Sequence, residues 1–324
     1  MKHKIVVTYR MEEDESSLYK EKLLSLSKLV FLKEIAKEKR NGCLEDADIL
    51  ITWNPTRELK GLNTGLLKNL KFVQLLSAGY DHINFSMFPN DCMIASNAGA
   101  YAKPMAEHAV AMILALSKNL LTKHKKMADG IFDQLSLNKK LKNSNCGIIG
   151  FGGIGKEITK LLKAFDVHIY AVNTSGKTGE DVKFVGTLKD LNYVLKECDI
   201  IVISIPLNNE TRGLIAKREL ELMKNDAMII NVARGAIINQ EDFFIHLKNH
   251  PEFQAGIDAW WSEPFKDGEF KLDFPFLDQP NVLGSPHNSA IVPDGIMEGS
   301  RRVAENVINY IKGEKVERLI NRRS

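Results

Sequence analysis

Cysteine is scarce. The 324 residues hold four, Cys43, Cys92, Cys146 and Cys198. They stand roughly fifty residues apart, with no Cys-x-x-Cys pair and no Cys/His cluster, a spacing that fits neither a disulfide framework nor a zinc site. Free buried thiols in a reducing, cytoplasmic setting are the expectation, with no metal. Long apolar runs are missing as well. The longest, Ala109 to Leu116, falls far short of the about 20 residues a bilayer span needs. The apolar run at the start, Ile5-Val-Val7, is too short for a signal peptide. An excess of one charge is also lacking: 44 Lys+Arg face 41 Asp+Glu, a formal net charge of +3. So small and scattered an excess argues against a nucleic-acid or membrane partner. Low-complexity, collagen-like and disordered compositions are absent, since 44% of residues are hydrophobic and 26% charged.

What is present is alternation. Short apolar runs take turns with amphipathic stretches, the pattern of βαβ units and parallel sheets, and the length suggests about two domains. In the first hundred residues the runs predict strands at Lys4–Thr8, Asp48–Trp53, Phe72–Leu76 and Cys92–Ala95, with a helix over Ser17–Lys39. Residues 101–121 have helical periodicity, with Pro104 near the start, and a polar stretch follows from Lys123 to Asn145. A second set of strands is predicted at Cys146–Ile149, His168–Val172, Ile200–Ile205, Ala227–Asn231, Phe253–Ile257 and Val282–Gly284. A last helix covers Gly299–Lys312. These short, apolar, often β-branched runs suit parallel strands covered on both faces.

One turn carries a phosphate-binding pattern. Gly150, Gly152 and Gly155 form Gly-x-Gly-x-x-Gly, after an apolar strand and at the start of an apolar-periodic helix. The first glycine permits a tight turn, the second a close approach of backbone to pyrophosphate, and the third close packing of helix on strand. The helix N-terminus offers N–H groups and a positive dipole end. The second strand of such a site usually ends in a carboxylate for the ribose 2′-hydroxyl. Here it runs into Asn173-Thr174-Ser175-Gly176-Lys177. Nothing there repels a 2′-phosphate, and Lys177 could pair with it, so NADP(H) is favoured. No arginine grips that phosphate, and NAD(H), or a relaxed site taking both, stays open.

Three later segments each place a reactive side chain just after a strand, where open α/β sheets bind ligands. They contain Arg234, then Asp258 with Glu263, then His287. Taken singly, a strand-end Arg is more often an ion-pair partner, and a Glu before Pro a solvated turn residue. Together they suit hydride transfer to or from a 2-oxo acid. The planar, permanently charged Arg fits a substrate carboxylate. The His supplies a proton near neutral pH as charge develops on the carbonyl oxygen. A carboxylate bonded to that His fixes its tautomer and favours its protonated form.

With these segments the chain resembles the D-isomer-specific 2-hydroxyacid dehydrogenases. The resemblance rests on the glycine turn, on Ser204 to Ile215, on Ile230-Asn-Val-Ala-Arg234-Gly-Ala, and on Asp258 with Glu263-Pro264 and Ser285-Pro286-His287. In the N-terminal part it rests on Leu76 to Asp81, Ser96-Asn97 and Ala106-Glu107. It implies Arg234 as carboxylate anchor, Glu263 as partner of the histidine and His287 as general acid/base. It implies that backbone N–H groups of Ala78, Gly79 and Tyr80 also bind the substrate carboxylate, where glycine lets the backbone come close. The cofactor would be held by Gly150, Gly152, Gly153, Ile154 and Gly155, and by Asn173, Thr174, Ser175 and Lys177. Further contacts would come from Ile205, Pro206 and Thr211, from Val232, Ala233 and Arg234, and from Asp258, His287 and Asn288, with Asp258 beside the nicotinamide. The implied architecture is two doubly wound parallel-sheet domains, a Rossmann cofactor domain inserted into a flavodoxin-like substrate domain. The cuts fall near 98 and 287: residues 1–98 with 288–324 bind substrate, and 99–287 bind the dinucleotide. Homodimers joined through the cofactor domain and residues 101–145 are the family habit.

The implied activity is hydride transfer between a nicotinamide cofactor and a small D-2-hydroxy acid or 2-oxo acid. Formate oxidation by a related branch is a second reading, but that branch carries Gln where Glu263 stands. Phosphoglycerate oxidation is a third, and a non-catalytic NAD(P)-sensing role a fourth. Trp260-Trp261 makes a bulky loop that either limits substrate size or is structural. No further domain is expected after the last helix, and the basic tail, Glu317 to Ser324, reads as a solvated end.

Overall fold

The structure, a computed structural model, describes residues 2–321. The chain divides into two compact units: residues 1–101 with 292–324, and residues 102–291.

The first unit is built on a five-stranded parallel sheet. Its strands are β1 (His3–Val7), β2 (Ser27–Phe31), β3 (Ile49–Thr52), β4 (Phe72–Leu75) and β5 (Met93–Ala95), in the order β2-β1-β3-β4-β5. That is the flavodoxin-like order. The sequence predicts one helix over Ser17–Lys39; the structure has the helix Glu13–Leu23 followed by β2. The Ser27 hydroxyl donates to the Leu23 carbonyl at 2.7 Å, which closes the helix end. The run Leu29-Val30-Phe31 then pairs with β1, Val6 opposite Val30. β-Branched and aromatic side chains prefer that pleated position to a helix. Cores lie on both faces of the sheet. One is formed by Ile5, Val7, Ile49, Ile51 and Phe72 with Val303 and Val307 of the helix Gly295–Lys312. That helix starts four residues before the expected Gly299, at Gly295. The tail is not simply solvated. Ile320 N–H donates to Ile94 O and Ser96 N–H to Arg318 O, so residues 318–320 run antiparallel along the β5 edge. Arg322, Arg323 and Ser324 lie outside the described residues.

The second unit holds seven parallel strands: β6 (Asn145–Ile149), β7 (His168–Val172), β8 (Phe184–Gly186), β9 (Ile200–Ile203), β10 (Met228–Asn231), β11 (Gln254–Ile257) and β12 (Val282–Gly284). Their order is β12-β11-β10-β9-β6-β7-β8. The order reverses beside β6, where doubly wound sheets bind dinucleotides. The short edge strand β8 has no counterpart among the strands expected from the sequence. Its three residues, Phe184-Val-Gly186, gain strand character from pairing with Tyr170–Val172 rather than from any run of their own.

The boundaries between units fall three and four residues beyond cuts at 98 and 287. Tyr101 stays with the first unit, its hydroxyl donating to Leu76 O at 2.9 Å. Residues 288–291 close a turn, Ile291 N–H to Asn288 O, on the second unit's last loop. The polar stretch Lys123–Asn145 is helical at its start, since a helix runs Leu120–Ala128.

Candidate active site

The glycine turn of the second unit gives each glycine a separate task. Gly150 has φ +102°, and a Cβ there would lie 2.5 Å from Ile205 N and Ser204 C. Any side chain would be strained and would strike backbone. Gly155 faces the strand: a Cβ would lie 2.9 Å from Ile148 Cγ2 and 3.0 Å from Gly150 O. Gly152 meets nothing within 4 Å, so its face of the turn is open. It also stands at the start of the helix Gly153–Lys163, with no side chain capping that end. Those N–H groups are the ones an anion can take.

The turn after β7 is organised by Asn173. Its Oδ1 accepts from Gly176 N (2.7 Å), Ser175 N (3.0 Å) and Ser175 Oγ (3.1 Å), and its Nδ2 donates to Lys177 O at 2.9 Å. The amide shapes the 173–177 loop, leaving Thr174 and Ser175 exposed, with Lys177 exposed beyond them. After β9, the Thr211 hydroxyl donates to Pro206 O at 2.7 Å and fixes the Ile205–Thr211 loop.

The strand-end side chains come together through shared loops. Asn231, at the end of β10, donates to Arg234 O (2.9 Å) and accepts from Ala233 N (3.0 Å), which bends Val232-Ala233-Arg234. Gly235 sits against the backbone of Trp260 and Trp261 and leaves no room for a Cβ. The arginine loop and the loop bearing Glu263 are thereby locked together. His287 Nδ1 lies 2.7 Å from Glu263 Oε2 and 2.8 Å from Oε1. Their side chains are 29% and 15% exposed. With Nδ1 against the carboxylate, Nε2 on the far side of the ring is the atom available for chemistry. Glu263 is itself held: its Oε1 accepts from Trp260 N at 2.7 Å, and its N–H donates to Asp267 Oδ2 at 2.9 Å. His287 has φ +51°, a left-handed conformation that costs energy in a non-glycine residue and often marks a functional loop.

Asp258 is fully buried. Its Oδ1 accepts from Ser285 Oγ (2.6 Å) and Asn288 N (3.2 Å). Its Oδ2 is buried with no partner, as is Ser289 Oγ, two residues past His287 in sequence. A buried acceptor and a buried hydroxyl, both with capacity left, fit a bound group that both donates and accepts hydrogen bonds. With the open face at Gly152, they make the donor set suitable for a nicotinamide dinucleotide. Among the described residues no group of His, Cys, Asp and Glu could hold a metal ion.

The tryptophan pair is structural. Trp260 is 6% exposed, and its indole N–H donates to Ser285 O at 2.7 Å. Trp261 donates to Ile238 O at 2.8 Å and stacks on Phe276, centroids 4.9 Å apart. Two residues escape sequence reasoning: Ser285, which there is no more than a motif residue, and His108, whose Nε2 lies 2.9 Å from Ser285 Oγ. No signal in the chain pairs residues 177 positions apart.

In the first unit, Ala78, Gly79 and Tyr80 follow β4 at the carboxyl edge of the sheet, all partly exposed. The adjacent Ser77 Oγ is buried with no partner.

Residues 110–289, more than half of the chain, match the family model described as D-isomer specific 2-hydroxyacid dehydrogenase, NAD binding domain. The chain belongs to the D-isomer specific 2-hydroxyacid dehydrogenase family. It is 27% identical over 321 residues to a D-3-phosphoglycerate dehydrogenase of Methanocaldococcus jannaschii, covering 98% of this chain and 59% of that protein. It thus spans little more than half the length of that relative. It is 26% identical to a glyoxylate reductase of Pyrococcus furiosus, covering 99% of this chain and 96% of the other. The fold is also that of a D-isomer specific 2-hydroxyacid dehydrogenase family protein from Aeromonas salmonicida, with a TM-score of 0.83, 24% identity and 99% of each chain covered. Among the described residues no helix of this family member is long and apolar enough to cross a membrane.

Proposed function

We propose that the chain is an NAD(P)-dependent reductase of small 2-oxo acids, forming D-2-hydroxy acids. The observation that carries this reading is the His287–Glu263 pair, 2.7 Å apart, with the loop that leads to Glu263 packed against Gly235, the residue after Arg234. The bound nicotinamide would supply the hydride that adds to C2. Arg234 binds the substrate carboxylate through its guanidinium. His287 Nε2 gives its proton to the carbonyl oxygen as negative charge develops there. Glu263 keeps the proton of the ring on Nδ1 and stabilises the charged imidazolium before transfer. In the oxidative direction His287 takes the hydroxyl proton back.

The cofactor would lie along Gly150–Gly155, with its ribose at Asn173–Lys177 and its nicotinamide toward Ile205, Pro206, Thr211, Val232, Ala233, Asp258 and Asn288. Asn173 favours NADP(H), because an amide at that position does not repel a 2′-phosphate and Lys177 offers a positive charge. A homodimer is part of the reading. Met127, Ile131, Phe132, Leu135 and Leu137 are 54–92% exposed on one arm of the second unit, and so much apolar surface calls for a partner. A second copy is the one proposed. The four cysteines are free, which suits a reducing cytoplasm.

The test is oxidation of NADPH and of NADH with glyoxylate, hydroxypyruvate, pyruvate, 2-oxoisocaproate and 3-phosphohydroxypyruvate. Turnover of a small unphosphorylated acid is expected, faster with NADPH. Turnover confined to 3-phosphohydroxypyruvate would assign phosphoglycerate chemistry instead. Tight cofactor binding without turnover would favour a sensor.

A further inference from the structure

His108 lies on the helix Ala102–Ser117, apart in sequence from the strand-end loops, yet its ring reaches their central carboxylate. Its Nε2 is 2.9 Å from Ser285 Oγ and 3.6 Å from Asp258 Oδ1. Ser285 Oγ in turn is 2.6 Å from Asp258 Oδ1. The direction of these bonds follows from counting protons. A serine hydroxyl has one proton, and an ionised carboxylate has none to give. The serine proton therefore points to Asp258, and the remaining serine lone pair must accept from His108. That fixes the neutral ring of His108 as the Nε2–H tautomer, with donation running from His108 to Ser285 to Asp258.

The chain of bonds continues into the catalytic loop. Asp258 Oδ1 also accepts from Asn288 N–H, at 3.2 Å. Asn288 follows His287, whose φ of +51° is a conformation that surrounding contacts must hold. The Ser285 carbonyl is tied as well, by the Trp260 indole. His287 is thus flanked on both sides by residues bonded into one network centred on the buried Asp258.

We propose that His108 is a positioning residue: through Ser285 and Asp258 it fixes the backbone that presents His287. The proposal rests on the reading of His287 as the acid/base group. His108 touches neither reacting atom in this scheme. Its effect is on geometry, and small displacements of a proton donor cost rate rather than binding.

The experiment uses the full-length protein and three variants, His108→Phe, Ser285→Ala and the pair together, with His108→Gln as the conservative control. Each single change is expected to lower kcat with the best 2-oxo acid by about tenfold or more. KM for the acid and the dissociation constant for the cofactor should stay within about twofold of wild type. The double variant should be no worse than the poorer single one, because both break the same chain. Gln keeps an N–H donor and should restore most of the rate. Nitrogen-15 spectra of the histidine rings should show His108 protonated on Nε2, with that proton shifted in Ser285→Ala. The proposal is overturned by additive losses, by unchanged kcat at a lowered melting temperature, or by a His108 ring protonated on Nδ1. If the wild-type protein turns over no 2-oxo acid, the functional reading fails, and the ring spectra still decide whether the relay exists.

Discussion

Both units gather polar side chains at the carboxyl edge of a parallel sheet, and they use them differently. In the first unit, Glu58 accepts from the Thr8 and Thr52 hydroxyls and from the N–H groups of Trp53 and Asn54. Glu15 accepts from the hydroxyls of Tyr9 and Ser300. Glu58 has both oxygens engaged, and Glu15 takes two hydroxyls on its Oε1. In the second unit, Asp258 keeps one oxygen without a partner, Ser289 keeps its hydroxyl, and His287 turns a ring nitrogen away from Glu263. A saturated network holds a loop in place, whereas one with capacity left can bind something. Location matters too. Asn145 and Gln254 also carry orphaned oxygens, but at the amino ends of β6 and β11, away from the ligand edge. In the first unit the orphan at the carboxyl edge is Ser77 Oγ, next to Ala78 and Gly79 in sequence.

Substitutions can break this contrast. The largest effect is expected at His287. His287→Ala should lower turnover at least ~100-fold with the fold intact, checked by steady-state kinetics beside circular dichroism. Arg234→Lys keeps the charge but loses the planar fork, and should lower kcat/KM for the acid by roughly ten- to a hundredfold, a larger loss than that in cofactor affinity read by fluorescence titration. The glycine turn separates scaffold from site. Gly150→Ala collides with the Ser204–Ile205 backbone and should destabilise the chain by about 3 kcal/mol in urea unfolding. Gly152→Ala has open space and should leave stability alone while weakening cofactor binding.

In the first unit, Glu58→Gln turns one acceptor oxygen into a donor and should cost about 1–3 kcal/mol of stability, without changing cofactor affinity. The smallest effect is a slope in pH. Burial, aided by the neighbouring His250, pushes His246 down to about 4 from 6.5. The unfolded chain takes up a proton between about 6.5 and about 4 that the folded one refuses. Stability should fall as pH drops through that window and level off below it. His246→Phe should flatten the slope, read from urea midpoints at several pH values.

The sequence makes the second unit easier to read than the first. A glycine turn, an Arg-Gly and a Ser-Pro-His each sit within a few residues of a strand, so local spacing reveals them. β2 and β8 escape because edge strands of three to five residues draw their stability from a neighbour. Glu58 looks like any surface glutamate until Thr8, fifty residues away, is folded against it. His108 sits in an ordinary helical pattern, and its meaning comes from Ser285 across the fold. The indoles of Trp260 and Trp261 likewise find their acceptors only in three dimensions.

The most direct test of the central claim follows the hydride itself. The protein would be incubated with nicotinamide cofactor deuterated at C4 and the 2-oxo acid it reduces best, and the product examined by mass spectrometry and chiral chromatography. One deuterium at C2 of a D-2-hydroxy acid is the predicted result. A product without deuterium, an L-2-hydroxy acid, or no product from a protein that binds cofactor would contradict it.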